Sequence, residues 1–136
     1  MLLLKDKHTP KNLNDFIINK NIANTLLKLS TTDNKKNMFL NIIFNGKRGS
    51  GKYTLSKAFL CEVFGEGIYK TRKSTFKIKS KEIDIIQSNY HYEIILTPYF
   101  LNDKQTFNNL IVALSENINI STLKQNIFLI KNIELL

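Results

Sequence analysis

The chain has 136 residues, of which 43% are hydrophobic; that is enough for one modest domain with a real core, and five glycines and two prolines argue against a disordered chain. Twenty Lys and Arg against eleven Asp and Glu leave a net charge of +9, which suggests an anionic partner (nucleic acid, nucleotide or acidic protein) or a lysine-rich surface that keeps the protein in solution. A single cysteine, Cys61, excludes a disulfide framework and a cysteine-built metal site, and no apolar run is long enough to span a membrane.

Residues 1–37 read as an arm and a helix. Met1–Leu4 is too short for a signal sequence and meets Lys5-Asp6-Lys7 at once. The stretch Lys5 to Phe16 is expected to be extended, because Pro10 disfavours helix before it. Asn21 to Ser30 carries Ile22, Leu26 and Leu29 on one helical face. Polar residues from Thr31 to Asn37 form a loop.

Residues 38–136 read as a core of alternating β and α around a parallel sheet. The mostly apolar run Phe39 to Phe44 predicts a strand, and Tyr53 to Phe64 predicts a helix with Leu55, Phe59 and Val63 at helical spacing. Between them stands Gly46-Lys47-Arg48-Gly49-Ser50-Gly51-Lys52. Strand, glycine loop and helix in that order make a phosphate-binding P-loop, where successive main-chain N–H groups turn inward around an anion. The helix points its positive end at the same spot, and Lys52 adds a full charge. The candidate nucleotide-binding residues are therefore Gly46, Lys47, Arg48, Gly49, Ser50, Gly51, Lys52, Tyr53 and Thr54. The alternative is a chance glycine turn.

Tyr53 departs from the motif. The residue after the P-loop lysine is ordinarily Ser or Thr, whose short hydroxyl ligates Mg²⁺. A tyrosine hydroxyl sits at the far end of a rigid ring, and one helical step turns Thr54 away by about 100°. Phosphate binding survives this change, whereas metal placement does not follow.

Beyond the helix, Gly65-Glu66-Gly67 tolerate the left-handed backbone that ends it, and Cys61 reads as a packed core thiol in a reducing compartment. Phe76 and Ile78, then Ile83 and Ile85 beyond a Lys-Ser-Lys turn, fit either a short hairpin or a strand followed by a helix start. Tyr90 to Leu96 alternates as a strand. Asp103 is a candidate N-cap for a helix carrying Phe107, Leu110, Ile111 and Leu114. The apolar run Ile127 to Ile130 predicts a strand buried on both faces. Residues 70–88 form a basic insertion.

The end of that last strand normally presents Asp-Glu in P-loop ATPases, one residue holding Mg²⁺ and the other activating water. Here it reads Lys131-Asn132-Ile133-Glu134. Lys131 cannot bind a cation, Asn132 cannot take a proton, and Glu134 comes two residues late. No catalytic and no metal-ligating residues are assigned. Lys131 either places positive charge where the metal would sit, allowing nucleotide to bind without Mg²⁺, or simply points to solvent. His8 and His91 have no metal-site spacing.

The chain resembles the small subunits of the eukaryotic sliding-clamp loader, replication factor C, within the AAA+ ATPases. The opening Asp6-Lys7-His8-Thr9-Pro10-Lys11-x-Leu13-x-Asp15 is similar to the family's Asp-Lys-Tyr-Arg-Pro-Lys-x-Leu-x-Glu/Asp arm, with His8 and Thr9 replacing Tyr and Arg. Ser88-Asn89-Tyr90-His91-x-Glu93 looks like the Ser-Asn-Tyr-His-x-Glu segment of the one small subunit whose ATPase site is degenerate, and Gly67-x-x-Lys70-x-Arg72 matches it too. The resemblance implies that the arm lies near the adenine, which adds Pro10 to the candidate nucleotide-binding residues. It also implies bound ATP or ADP and partnership with other loader subunits, a sliding clamp and primer–template DNA, in the nucleus or at a viral replication site.

The same resemblance implies a sheet in which the P-loop strand lies between two strands that come after Leu136. The fold expected is therefore a P-loop α/β domain of the AAA+ class, cut after the strand ending at Ile130, with open edges on Phe39 to Phe44; a fragment or split gene is the favoured account. The subunit's Ser-Arg-Cys arginine would also lie beyond Leu136. The function expected is a nucleotide-binding, non-hydrolysing clamp-loader subunit. The alternatives are an active P-loop ATPase or kinase, and a basic DNA-binding module whose patch is Lys70, Arg72, Lys73, Lys77, Lys79 and Lys81.

Overall fold

A computed structural model describes residues 3–31, 41–78, 81–98, 104–116 and 126–135. They fall into two compact units, Met1–Gly65 and Glu66–Leu136.

In the first unit, α1 (Leu4–Lys7) is a single turn, α2 spans Lys20–Thr31 and α3 spans Lys52–Phe64. The arm is thus not uniformly extended. Proline restricts mainly the residue before it, and α1 closes before Thr9. A 3-10 turn at Leu13–Asp15 then buries Leu13 against α2 and α3. Leu13, Ala23, Leu26, Leu55, Ala58 and Phe59 form the core, with Phe16, Leu27, Leu29, Phe44 and Val63 around it. The buried stripe of α2 runs through Ala23 and Leu26; Ile22, expected on that face, is 49% exposed at its edge. Helix α3 is buried continuously from Leu55 to Cys61. It closes at Gly65, whose φ is 81° and whose N–H donates to the Cys61 carbonyl at 2.7 Å.

The strand expected over Phe39 to Phe44 is not formed where it can be followed. Asn41 to Phe44 pairs with no described strand, and Phe39 and Leu40 lie outside the described residues, as does the 32–37 loop. A strand exists only through its neighbours' hydrogen bonds. Phe44 still packs against the helical core, fixing the start of the glycine loop, while Ile43 is 79% exposed.

Among the described residues, the second unit is a four-stranded sheet with one α-helix. Its strands β1 (Arg72–Ile78), β2 (Lys81–Gln87), β3 (His91–Ile95) and β4 (Ile127–Lys131) stand in the order β1-β2-β3-β4. The hairpin reading holds: β1 and β2 pair antiparallel from Arg72↔Gln87 to Ile78↔Lys81. The parallel pairing expected of the class is between β3 and β4, His91 standing opposite Ile127 and Ile95 opposite Lys131. Because side chains alternate along a strand, this register sends Phe76, Ile78, Ile83, Ile85, Tyr92, Ile94, Phe128 and Ile130 to one face. There they join Leu110 and Leu114 of α4 (Lys104–Glu116), which are fully buried. The Tyr92 and Phe128 rings stack at 5.7 Å between centroids. Asp103, the expected N-cap of α4, lies outside the described residues.

Candidate nucleotide-binding site

The glycine loop leads straight into α3. Gly51 is the N-cap and adopts the left-handed region, with φ 80° and ψ 13°; glycine does this at no steric cost. The Ser50 N–H donates to the Lys47 carbonyl at 3.2 Å, which tightens the loop. The first bond of the helix ladder runs from the Leu55 N–H to the Gly51 carbonyl at 2.9 Å. Amides of an opening turn have no intrahelical acceptor and carry the positive end of the helix dipole.

Lys52 folds back across the loop. Its ammonium donates to the Gly46 carbonyl at 2.6 Å and the Lys47 carbonyl at 2.9 Å. An ammonium has three donors, so one remains for a ligand held inside the ring that Gly46 to Lys52 makes. The loop shape is therefore set by the chain itself. A phosphate chain fits this donor set of main-chain amides plus one fixed cation.

The remaining candidates are placed around it. Lys47, Arg48 and Gly49 are exposed on the loop, Tyr53 is 42% exposed, and Thr54 is half-buried on the next helical step. No described contact joins Pro10, also half-buried, to the loop. Sequence reasoning missed Asn19: its side-chain amide donates to the Ser50 carbonyl at 3.3 Å, and its φ is 61°. An asparagine at the start of a helix is a recognisable signal for that backbone, but here it is hidden among many asparagines.

The second unit shows what stands at the end of β4. Lys131 lies 3.9 Å from Glu93, Nζ to Oε2, and its side chain is 26% exposed. It therefore leans onto β3, and neither sequence reading of Lys131 foresaw this partner. Asn132 takes a left-handed turn, with φ 59°, and its amide donates to the Leu96 carbonyl at 3.0 Å. Glu134 is exposed on the 3-10 turn Ile133–Leu135 that follows. A divalent cation does not fit here, because a lysine ammonium occupies the carboxylate and the next side chain is spent on the backbone.

Glu93 belongs to a buried chain. Its Oε1 is 3.1 Å from His91 Nε2, and His91 Nδ1 is 2.6 Å from the Ser88 hydroxyl. That hydroxyl also accepts the N–H groups of Tyr90 and His91, each at 3.1 Å. With both acceptor positions filled, Ser88 donates to Nδ1, which places the imidazole proton on Nε2 facing Glu93. The same three residue types make a catalytic triad, but there the hydroxyl meets Nε2 and the carboxylate Nδ1, the reverse of this order; moreover Ser88 is 4% exposed and His91 is fully buried. A nucleophile must reach its substrate, so the arrangement is structural. The Ser88 N–H to His91 carbonyl bond at 2.9 Å closes the same turn between β2 and β3.

The described members of the proposed basic patch do not share one sheet face. Lys73 and Lys77 lie on the sheet face opposite α4, where Lys77 stands across from Glu82 and Thr75 donates to Asp84 at 2.7 Å. Arg72 lies on the other face, with its guanidinium beside the Gln87 side-chain amide, whose oxygen accepts from it when the amide is turned over. Lys70 is exposed ahead of β1, and Lys79 lies outside the described residues. Among the described residues, no group of His, Cys, Asp and Glu could hold a metal ion.

No family model matches the chain. Individual proteins do. Over 101 residues it is 36% identical to a replication factor C small subunit of Acanthamoeba polyphaga mimivirus, a match covering 71% of this chain and 26% of that protein. It is 29% identical over 121 residues to replication factor C subunit 5 of Saccharomyces cerevisiae, covering 85% and 33% respectively. With replication factor C subunit 3 of Arabidopsis thaliana it shares 28% over 129 residues, 89% of this chain and 35% of the plant protein. The chain spans about a quarter to a third of the length of these relatives. A P-loop α/β fold with a mixed sheet and this run of likeness along most of the chain have one reading: the chain belongs to the replication factor C small-subunit family.

Proposed function

We propose that this chain holds ATP or ADP in the Gly46–Thr54 loop without hydrolysing it, as a nucleotide-binding subunit of a sliding-clamp loader. The observation that carries the nucleotide reading is Lys52, fixed by the Gly46 and Lys47 carbonyls beneath the start of α3. Absence of hydrolysis is supported by Tyr53 at the metal-ligating position and by Lys131 and Asn132, each committed to another group, at the end of β4. In this reading Mg²⁺ is dispensable for binding. The partners are other loader subunits, the sliding clamp and primer–template DNA, in the nucleus or at a viral replication site. That part rests on the names of the relatives, which are replication factor C subunits of a yeast, a plant and a mimivirus.

Calorimetric titration of ATP and ADP into the full chain, with Mg²⁺ and with a chelator, tests the reading. Binding should persist in the chelator and weaken at least about tenfold in Lys52→Ala, which removes a charge-assisted contact. Phosphate release should stay at the buffer rate. Turnover that disappears in Lys52→Ala would instead establish an active ATPase, and a large loss of affinity in the chelator would establish a metal-dependent site.

A further inference from the structure

We infer that Asn19 is a positioning residue for the phosphate loop, an inference that rests on the nucleotide reading above. Three observations converge on it. Asn19 holds φ at 61°, a backbone that costs a non-glycine residue energy and persists only where surroundings require it. Its carbonyl accepts the N–H groups of Ile22 and Ala23, each at 3.0 Å, so the same residue starts α2. Its side-chain amide reaches across 31 residues of sequence to the Ser50 carbonyl.

Ser50 is the residue ahead of Gly51, so the peptide group that Asn19 grips contains the Gly51 N–H. Holding the carbonyl toward Asn19 turns that N–H the opposite way, away from Asn19, because the two ends of a planar trans peptide point opposite ways. Ala23 and Leu26 of α2 sit in the same core as Leu55, Ala58 and Phe59 of α3. The tether therefore runs from one rigid helix to the loop that opens the other, and fixes a donor for a phosphate oxygen before any ligand arrives. Such preorganisation raises affinity by removing an ordering cost from the binding step.

The ligand class that senses this is a polyphosphate. Inorganic tripolyphosphate is the direct probe, because it carries no base and reads the loop alone. Asn19→Gly keeps the left-handed backbone and deletes the amide; its thermal midpoint should stay within about 2 °C of the parent, while tripolyphosphate and ADP bind about fivefold more weakly. AMP, with a single phosphate, should lose less. Asn19→Asp keeps the shape, lacks the donor and adds negative charge, and should weaken tripolyphosphate further than Asn19→Gly does. Unchanged tripolyphosphate affinity in both variants, with the parent chain binding, overturns the role of Asn19 and leaves the nucleotide site standing. A parent chain that binds neither tripolyphosphate nor ADP overturns both.

Discussion

Ser88 shows how a short recognisable string gains a physical reason. The sequence Ser-Asn-Tyr-His-x-Glu marks the family without saying why those residues sit together. In the fold, one hydroxyl satisfies two amides of the turn and orients the His91 ring, which in turn meets Glu93. Ser88→Ala leaves those two amides without this acceptor in a buried turn. It should lower stability by about 1–3 kcal/mol in urea unfolding, with no change in nucleotide affinity of the folded chain. Glu93 was not legible as the partner of Lys131. In an alternating strand His91 and Glu93 read as solvent-facing, yet both are buried, because burial of a strand's second face depends on tertiary neighbours that alternation does not report. The position of Lys52 at the start of α3 was legible, since it follows from local spacing.

At the level of elements, helices α3 and α4 and the existence of strand β4 were readable because their signals are local: helical spacing, a glycine stop and a fully apolar run; β4 is half-buried throughout, however, not buried on both faces as that run suggested. Residues 41–44 were not, because a strand requires a neighbour, and this apolar run pairs with no described strand. The hairpin stayed ambiguous in sequence until register decided it. One contact between elements makes a sharp prediction. A Cβ on Gly67, in the 3-10 turn Glu66–Tyr69, would lie 2.8 Å from Cε2 of Tyr90, in the turn between β2 and β3. Gly67→Ala should destabilise the chain by about 1–3 kcal/mol through overpacking. Adding Tyr90→Ala should recover part of that loss in a double-mutant cycle; strict additivity would show that the ring is not the obstacle.

Among the described residues of the hairpin, the positive charge is divided between the two sheet faces, since Lys73 and Lys77 share one face with Glu82 and Asp84 and Arg72 lies on the other. Charge counting could not foresee this, because it ignores which side of a pleat each residue takes. The exposed apolar segment before the glycine loop has its own consequence. Backbone that pairs with no described strand, with Ile43 at 79% exposure, invites edge-to-edge association. Ile43→Lys should leave the thermal midpoint nearly unchanged, as surface changes usually do, and should reduce light scattering at high protein concentration.

The fastening of Asn132 to Leu96 and of Lys131 to Glu93 also limits how this protein could be re-engineered or could evolve. Placing an acid pair there, by Lys131→Asp with Asn132→Glu, would set a second carboxylate beside the buried Glu93 and release the carbonyl of Leu96. Any sequence change that brings carboxylates to this strand end thus passes through a weakened sheet, so the two fastenings act as a barrier to drift at these positions.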